Sequence, residues 1–168
     1  MSESTFDAPA QEAPRLAIRL SVNGQERVLH VEANVTLADA LREQAGTTSV
    51  HLGCEHGVCG ACNVKLDGEV VRSCLTLAAS CEGARIVTLE GLTDERATVL
   101  KTALNRCHGL QCGYCTPGVM VTGHDLLTRG VPMNEKDIRA ALCGNVCRCT
   151  GYQGMVRAVA ESLEELAT

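Results

Sequence analysis

The sequence predicts an α+β chain in two parts: a small sheet with one helix and a long cysteine-rich loop, then a compact bundle of four short helices. Three observations predict it. Apolar residues alternate up to the neighbourhood of Gly91 and recur at helical spacing beyond it. Asn-Gly and Asp-Gly dipeptides interrupt the alternating stretches as tight hairpin turns do. Eleven cysteines fall mostly into two dense groups, one in each part of a 168-residue chain, a length that suits one ordinary domain or two small ones.

Residues 1–14 hold Pro9 and Pro14 without periodicity and read as a flexible lead-in. Leu16, Ile18, Leu20 and Val22 then alternate, Asn23-Gly24 turns the chain, and Val28 to Val31 returns as the second strand of a hairpin. Thr36 stands as a helix cap with Asp39 three residues on; Leu37, Ala40, Leu41 and Ala45 follow at helical spacing, and Gly46 is the stop. Val64 and Leu66, Asp67-Gly68, and Val70-Val71 repeat the hairpin signal, and Ile86, Val87 and Leu89 read as a further strand.

Beyond Gly91, Ala97, Leu100, Ala103, Leu104 and Cys107 share one stripe, with Asp94 and Glu95 in the first turn where negative charge suits the helix dipole. A second helix is expected after Thr116-Pro117, with Thr116 as cap and Pro117 at the first helical position, ending at Arg129-Gly130. Asn134 with Asp137 opens a third that ends near Cys143-Gly144, and a fourth runs from about Tyr152 through Val156, Val159, Leu163 and Leu166. The expected division is thus a lead-in over 1–14, a sheet-containing domain over 15–91 and a helical domain over 92–168.

Fifteen Lys and Arg against twenty Asp and Glu give a net charge of −5 with no basic block, which excludes the electrostatic footprint that nucleic acid selects. At 2% aromatic residues, Val, Leu, Ala and Ile must fill the core. The first residues are acidic and lack an apolar run, and no stretch approaches the roughly 20 apolar residues of a membrane span, so a soluble, cytoplasmic protein is expected. In a reducing compartment clustered cysteines are metal or redox ligands before they are disulfides, and an odd count cannot pair completely within the chain.

Cys54, Cys59 and Cys62 follow C-x4-C-x2-C, and Cys74 comes across the Asp67-Gly68 hairpin. The first three spacings are those of plant-type 2Fe-2S ferredoxins. Gly53, Gly57 and Gly60 are expected to take positive φ and bring backbone N–H groups to the sulfurs. A structural zinc site more often uses two cysteine pairs. His56 lies in this loop, but a Rieske-type centre needs two His in place of two Cys, so His56 is expected to face solvent.

The second group is Cys112 and Cys115 with Cys147 and Cys149 thirty-odd residues on. Cys115-Thr116 and Cys149-Thr150 each place a cysteine before a threonine cap, so two helix N-termini are expected to point at one negatively charged centre in a pseudo-two-fold arrangement. By itself this spacing leaves zinc and a redox-active dithiol open. Cys81, Cys107 and Cys143 are left as structural free thiols, and His51, His108 and His124 lack metal-ligand spacing. Tyr114 and Tyr152, each beside a cysteine pair, are expected in the core rather than at an interface.

The blocks CEHGVCGAC with Cys74, LQCGYCTPGVMV over 110–121 and GNVCRCTGYQ over 144–153, in this order, resemble the small iron–sulfur subunit of the molybdenum hydroxylases, the xanthine oxidase and aldehyde oxidoreductase family. The resemblance covers about residues 15 to 166. Asn63, Tyr114 and Val146 depart from residues common at those positions, where Thr, Phe and Leu are usual, and none is a ligand.

The resemblance implies a β-grasp ferredoxin-like domain holding one 2Fe-2S cluster through Cys54, Cys59, Cys62 and Cys74. It also implies an all-α four-helix domain holding a second through Cys112, Cys115, Cys147 and Cys149. By the same resemblance Gln111 contacts a molybdopterin, Cys149 lies near it, and the loop of Glu55 to Gly57 faces FAD. Gln111 is a residue whose neutral amide offers both donor and acceptor to a heterocycle. The implied partners are a large molybdopterin-binding subunit and a medium FAD-binding subunit in a heterotrimer or a dimer of heterotrimers. The implied role is electron relay within an oxidoreductase whose substrate chemistry occurs on another chain. A free-standing soluble ferredoxin is the alternative and leaves the second cysteine group unexplained; a zinc scaffold is a third reading.

Overall fold

The computed structural model describes residues 13–167, so most of the expected lead-in, residues 1–12, lies outside the described residues. Among the described residues, five strands form one mixed sheet and five α-helices accompany it. β1 (Arg15–Val22) and β2 (Gln25–Glu32) pair antiparallel, as do β3 (Asn63–Leu66) and β4 (Glu69–Arg72). β5 (Arg85–Val87) lies between the hairpins, parallel to β1 and antiparallel to β3, giving the order β2-β1-β5-β3-β4. Both hairpin turns use two successive positive-φ residues, Asn23 and Gly24 at 51° and 79°, Asp67 and Gly68 at 49° and 95°. This geometry matches the twist of the strands it joins.

Ile18, Leu20 and Val22 of β1 and Leu29 and Val31 of β2 point to one face, where α1 (Leu37–Glu43) covers them with Leu37, Ala38, Ala40 and Leu41. Thr36 caps α1 as expected: its hydroxyl oxygen accepts from Asp39 N–H and its O–H donates to the Asp39 carboxylate at 2.6 Å. Residue 89 departs from the expected strand. Leu89–Gly91 is a turn of 3-10 helix, because Thr88 has left the sheet and its backbone N–H is taken by the Asn23 side chain at 2.9 Å.

The helices of the second half are α2 (Glu95–Arg106), α3 (Thr116–Arg129), α4 (Glu135–Ala141) and α5 (Gln153–Leu166). Their apolar faces meet in a second cluster built on Leu100, Leu104, Val119, Leu127, Ile138, Met155 and Val159. Fully burying each such side chain contributes roughly 1.5–3 kcal/mol, and these aliphatics must supply what aromatic residues supply elsewhere. Asp94 is the N-cap of α2, one residue before the first turn, and Asn134 caps α4; Gly130 closes α3 with φ 61°.

The sheet and the bundle meet where α3 crosses β3. There the contact is polar. The Lys65 ammonium, buried on β3, donates to His124 Nδ1 of α3 at 3.1 Å and lies 3.6 Å from Asp125. His124 passes its other ring nitrogen, as donor, to Asp94 at 2.9 Å, so one carboxylate both caps α2 and holds the histidine. Two residues before His124 on α3, the Thr122 hydroxyl accepts from the Asn63 amide at 2.9 Å.

Burial pushes the Asp94 carboxyl up, but the Ala97 N–H, His124 and Arg96 together bring it below the ordinary carboxylate value. A depressed carboxylate contributes stability that is complete above its unfolded pKa and is lost as pH falls through the native value. Asp94→Asn keeps a good cap and removes only the charge. Thermal melts across an acid-to-neutral pH series should show a loss of about 0.5 kcal/mol near neutrality, small because the carboxylate is half-exposed. The loss should fade as the pH falls; equal losses at every pH would contradict the assignment.

Two adjoining thiol sets

The loop between α1 and β3 carries Cys54, Cys59 and Cys62, and Cys74 returns in a 3-10 turn, Ser73–Leu75, just after β4. All eleven cysteines are free thiols. Gly57 and Gly60 have φ of 84° and 71°, as expected; Gly53 does not, and Glu55 takes the left-handed conformation instead at 54°. Gly53 is confined for another reason, since a Cβ there would lie 3.2 Å from Cys59 Sγ. His56 is exposed, with Nδ1 2.5 Å from the Cys54 carbonyl.

The sulfurs of this set feel one another. The backbone N–H of Cys59, 3.4 Å from Cys54 Sγ, is the largest influence on that thiol; with the N–H groups of His56 and Val58 it brings Cys54 down to about 6. Burial pushes Cys74 up to about 11, with further upward pushes from the Cys62 and Cys54 thiols and a smaller opposing one from the Gly57 N–H. Burial likewise raises Cys59, and Cys54 and Cys62 add to it.

The second set shows the same mutual repulsion. Burial and then Cys147 push Cys115 up to about 12, with Cys112 adding to it. Cys149 Sγ lies 3.5 Å from Cys112 Sγ, and this contact raises Cys149. Cys147 is lowered: burial opposes, but the Thr150 hydroxyl at 3.3 Å and the N–H groups of Cys149 and Thr150 outweigh it.

The expected threonine caps do not form. α3 starts one residue early, with Cys115 in the N-cap position and Thr116 inside the first turn, its hydroxyl buried without a partner. α5 begins at Gln153 with Tyr152, at φ 68°, as its N-cap; the Thr150 hydroxyl donates to the Cys147 sulfur and accepts from Tyr152 N–H at 3.3 Å, ahead of the helix rather than as its cap. Only α3 therefore begins immediately at a cysteine, and the pseudo-two-fold expectation fails at α5.

Each set brings four thiols together so that ionising one opposes ionising the next, an arrangement that bound cations relieve by keeping the thiolates deprotonated. Among the described residues, no group of three or more His, Cys, Asp or Glu stands where it could hold one metal ion. A 2Fe-2S rhomb held by four cysteines asks only two of each iron, and the donor set and the surrounding N–H groups fit it.

The two loops touch backbone to backbone. The Cys59 carbonyl accepts from Val146 N–H at 2.8 Å, the residue before Cys147. Cβ atoms on Gly118 and Gly60 would lie 2.0 Å from the Gly60 carbonyl and 2.4 Å from the Gly144 carbonyl respectively. Tyr114, between Cys112 and Cys115, stacks on His51 at 4.6 Å and donates its hydroxyl to the Leu52 carbonyl at 2.7 Å. It is 49% exposed, not in the core as expected, because its ring lies across the mouth of the neighbouring loop. Tyr152 is half-buried against the helical cluster and its oxygen accepts from Cys147 N–H. Gln111 and Cys149, the two expected pterin contacts, are exposed, and so is the ligand candidate Cys112.

Cys81 and Cys107 are buried, whereas Cys143 is exposed and cannot serve the core. Sequence reasoning missed Arg72, whose guanidinium donates to Gly57 C=O at 3.1 Å, to Gly144 C=O at 2.8 Å and to the Asn63 side-chain oxygen. A basic residue at the end of a predicted hairpin gave no signal of that role.

Comparison with known proteins agrees across nearly the whole chain. Residues 20–93 match the family described as a 2Fe-2S iron-sulfur cluster binding domain, and residues 88–160 match the 2Fe-2S binding domain family. The nicotine 6-hydroxylase small subunit of Paenarthrobacter nicotinovorans is 47% identical over 148 residues, 88% of this chain and 90% of that protein. Quinoline 2-oxidoreductase from Pseudomonas putida 86 contains a chain that superposes with a TM-score of 0.84 at 41% identity, covering 92% of this chain and 97% of that one. The aldehyde oxidoreductase of Desulfovibrio desulfuricans superposes at 0.83 with 40% identity over 90% of this chain but only 17% of its own.

Replacing a helical glycine by alanine ordinarily gains up to about 1 kcal/mol. At Gly118 the added methyl meets the Gly60 backbone, so Gly118→Ala is expected to lose about 1–3 kcal/mol by overpacking. Chemical denaturation of the full chain gives the sign, and a gain in stability would show that the two loops separate easily.

Proposed function

The chain belongs to the small 2Fe-2S iron–sulfur subunits of the molybdenum hydroxylase family, and we propose that it carries electrons from a molybdopterin centre on a large subunit to FAD on a medium one. The observation that carries this reading is the pair of four-thiol sets joined by the Cys59 carbonyl and the Val146 N–H. Two 2Fe-2S clusters, when bound, each accept one electron and pass it on. Cys54, Cys59, Cys62 and Cys74 are the proposed ligands of the first, and Cys112, Cys115, Cys147 and Cys149 those of the second.

The chain's own residues do the rest. N–H groups of Cys59, His56 and Val58 face Cys54 and offset thiolate charge. Thr150 does so for Cys147. Exposed Cys112 and Cys149, with exposed Gln111, form the side offered to the molybdopterin subunit; Glu55 to Gly57, beside exposed Val58 and Leu75, form the side offered to the FAD subunit. Between these sides the path stays within the backbone of the two loops.

The finer architecture belongs to the same proposal: a β-grasp ferredoxin-like domain over 15–91 and a four-helix domain over 92–168, supported by two separate hydrophobic clusters. In the aldehyde oxidoreductase the matching region is a fraction of a much longer chain; here the remaining parts are proposed as separate subunits of a heterotrimer or its dimer. Nicotine and quinoline, in the relatives' names, both contain a pyridine ring, so a nitrogen heteroaromatic is the proposed substrate of the complex. Among the described residues no helix is long and apolar enough to cross a membrane, and a cytoplasmic complex is proposed.

The anaerobically purified chain should be brown, with about four iron and four acid-labile sulfide; zinc in their place would overturn the relay. In the assembled complex, Cys112→Ser is expected to spare the first cluster's electron paramagnetic resonance (EPR) signal while stopping electrons from reaching a flavin-side acceptor. Undiminished transfer to that acceptor would refute the order of the path.

A further inference from the structure

We propose that Arg72 is the positioning residue that fixes the two thiol sets against each other and, through its charge, favours electron acceptance at both; the inference rests on the two-cluster reading above. Arg72 ends β4, two residues before Cys74. Its three donors go to three different places. Nε donates to Gly57 C=O, inside the Cys54–Cys59 loop; Nη1 to the side chain of Asn63, the residue after Cys62; and Nη2 to Gly144 C=O, in the turn that leads to Cys147. One rigid, planar group therefore touches the segments that supply ligands to both sets.

The fork geometry matters because a planar guanidinium directs its donors at fixed angles, which a lysine ammonium on a flexible stem cannot copy. Gly144 is shaped around it, since a Cβ there would lie 2.5 Å from Nη2. The Gly57 carbonyl that Nε holds belongs to the same peptide group as the Val58 N–H that faces Cys54. A donor on the carbonyl side polarises that peptide and strengthens its N–H toward sulfur.

The charge has a second effect. All three acceptors are neutral, two carbonyls and one amide oxygen, so no carboxylate among them cancels the guanidinium. A fixed positive charge between two thiolate-ligated centres stabilises each more after it gains an electron than before, and raises both reduction potentials.

The test uses the full chain carrying its clusters, with EPR-monitored redox titration for the potentials and the spin–spin splitting of the fully reduced protein for the relative placement. Arg72→Gln should move both potentials to more negative values and alter the splitting. Arg72→Lys retains charge but not the fork, so its splitting should change while its potentials move less. Gly144→Ala leaves the charge in place and pushes Nη2 away from Gly144, so it should alter the splitting alone, and it decides the matter if Arg72→Gln fails to retain both clusters. Native potentials in an Arg72→Gln chain with both signals, or native splitting in Gly144→Ala, would overturn the proposal. Failure of the unmodified chain to give two cluster signals would count against the two-cluster reading instead.

Discussion

The direct backbone-to-backbone approach of two cysteine loops is the constraint on which the remaining structure depends. Gly60 lies between Cys59 and Cys62, and its peptide is wedged between Gly118 at the start of α3 and Gly144 in the turn before Cys147. Any Cβ at Gly60 or Gly118 would occupy backbone of the opposite loop, and one at Gly144 would occupy Arg72. Glycine usually weakens a helix through its conformational freedom, and at position 118 that loss is outweighed by what contact permits: the Cys59 carbonyl meets the Val146 N–H directly. A chain that kept the same cysteines but separated these backbones by one side-chain layer would have two sites and no short path between them.

Bringing eight thiols into two tight sets creates an electrostatic problem that the fold solves unevenly. In the first set backbone N–H groups converge on Cys54 and bring it down to about 6, while buried Cys74 goes up to about 11. In the second, Thr150 and two N–H groups favour the charge on Cys147, and burial drives Cys115 up to about 12. Each set thus pairs a sulfur surrounded by donors with one that burial raises, Cys74 buried and Cys115 partly so. Donors around sulfur favour the charged form and burial opposes it, so cations at the centre are what let all four ionise together. The exposed Cys112 and Cys149 add a directional element, because charge on that side is solvated or meets a partner, whereas Cys62 and Cys74 face inward.

Local chemistry was legible in the sequence and long-range chemistry was not. The hairpin turns at Asn23-Gly24 and Asp67-Gly68, and the caps at Thr36 and Asn134, are decided by residues within four positions of one another, and they appear where the sequence places them. The threonine caps failed for a definite reason: Thr116 and Thr150 have capping chemistry, but the cysteine loops had already set where each helix starts. Cys115 adopts helical backbone one residue early, and Tyr152, two residues after Thr150, turns left-handed just ahead of α5. Gly53 was read as a left-handed glycine when its role is to leave room for Cys59 Sγ. His124 looked inert because its partners, Lys65 and Asp94, lie 59 and 30 residues away.

That last triad bears on why the two halves meet through polar groups at all. Burying Lys65, His124 and Asp125 costs desolvation, and a buried ion pair is a poor source of stability when an apolar contact would serve. An apolar face of α3 on β3, however, would keep most of its contacts after a small slide or rotation. The observed contact would not: displaced by a residue, the Lys65 ammonium loses both His124 and Asp125, His124 loses Asp94, and Asn63 loses Thr122. Leaving those groups buried and unpaired is far more costly than the pairing is favourable. The seam therefore penalises misplacement more than it rewards contact, which is the property needed where Gly60, Gly118 and Gly144 leave no tolerance of their own.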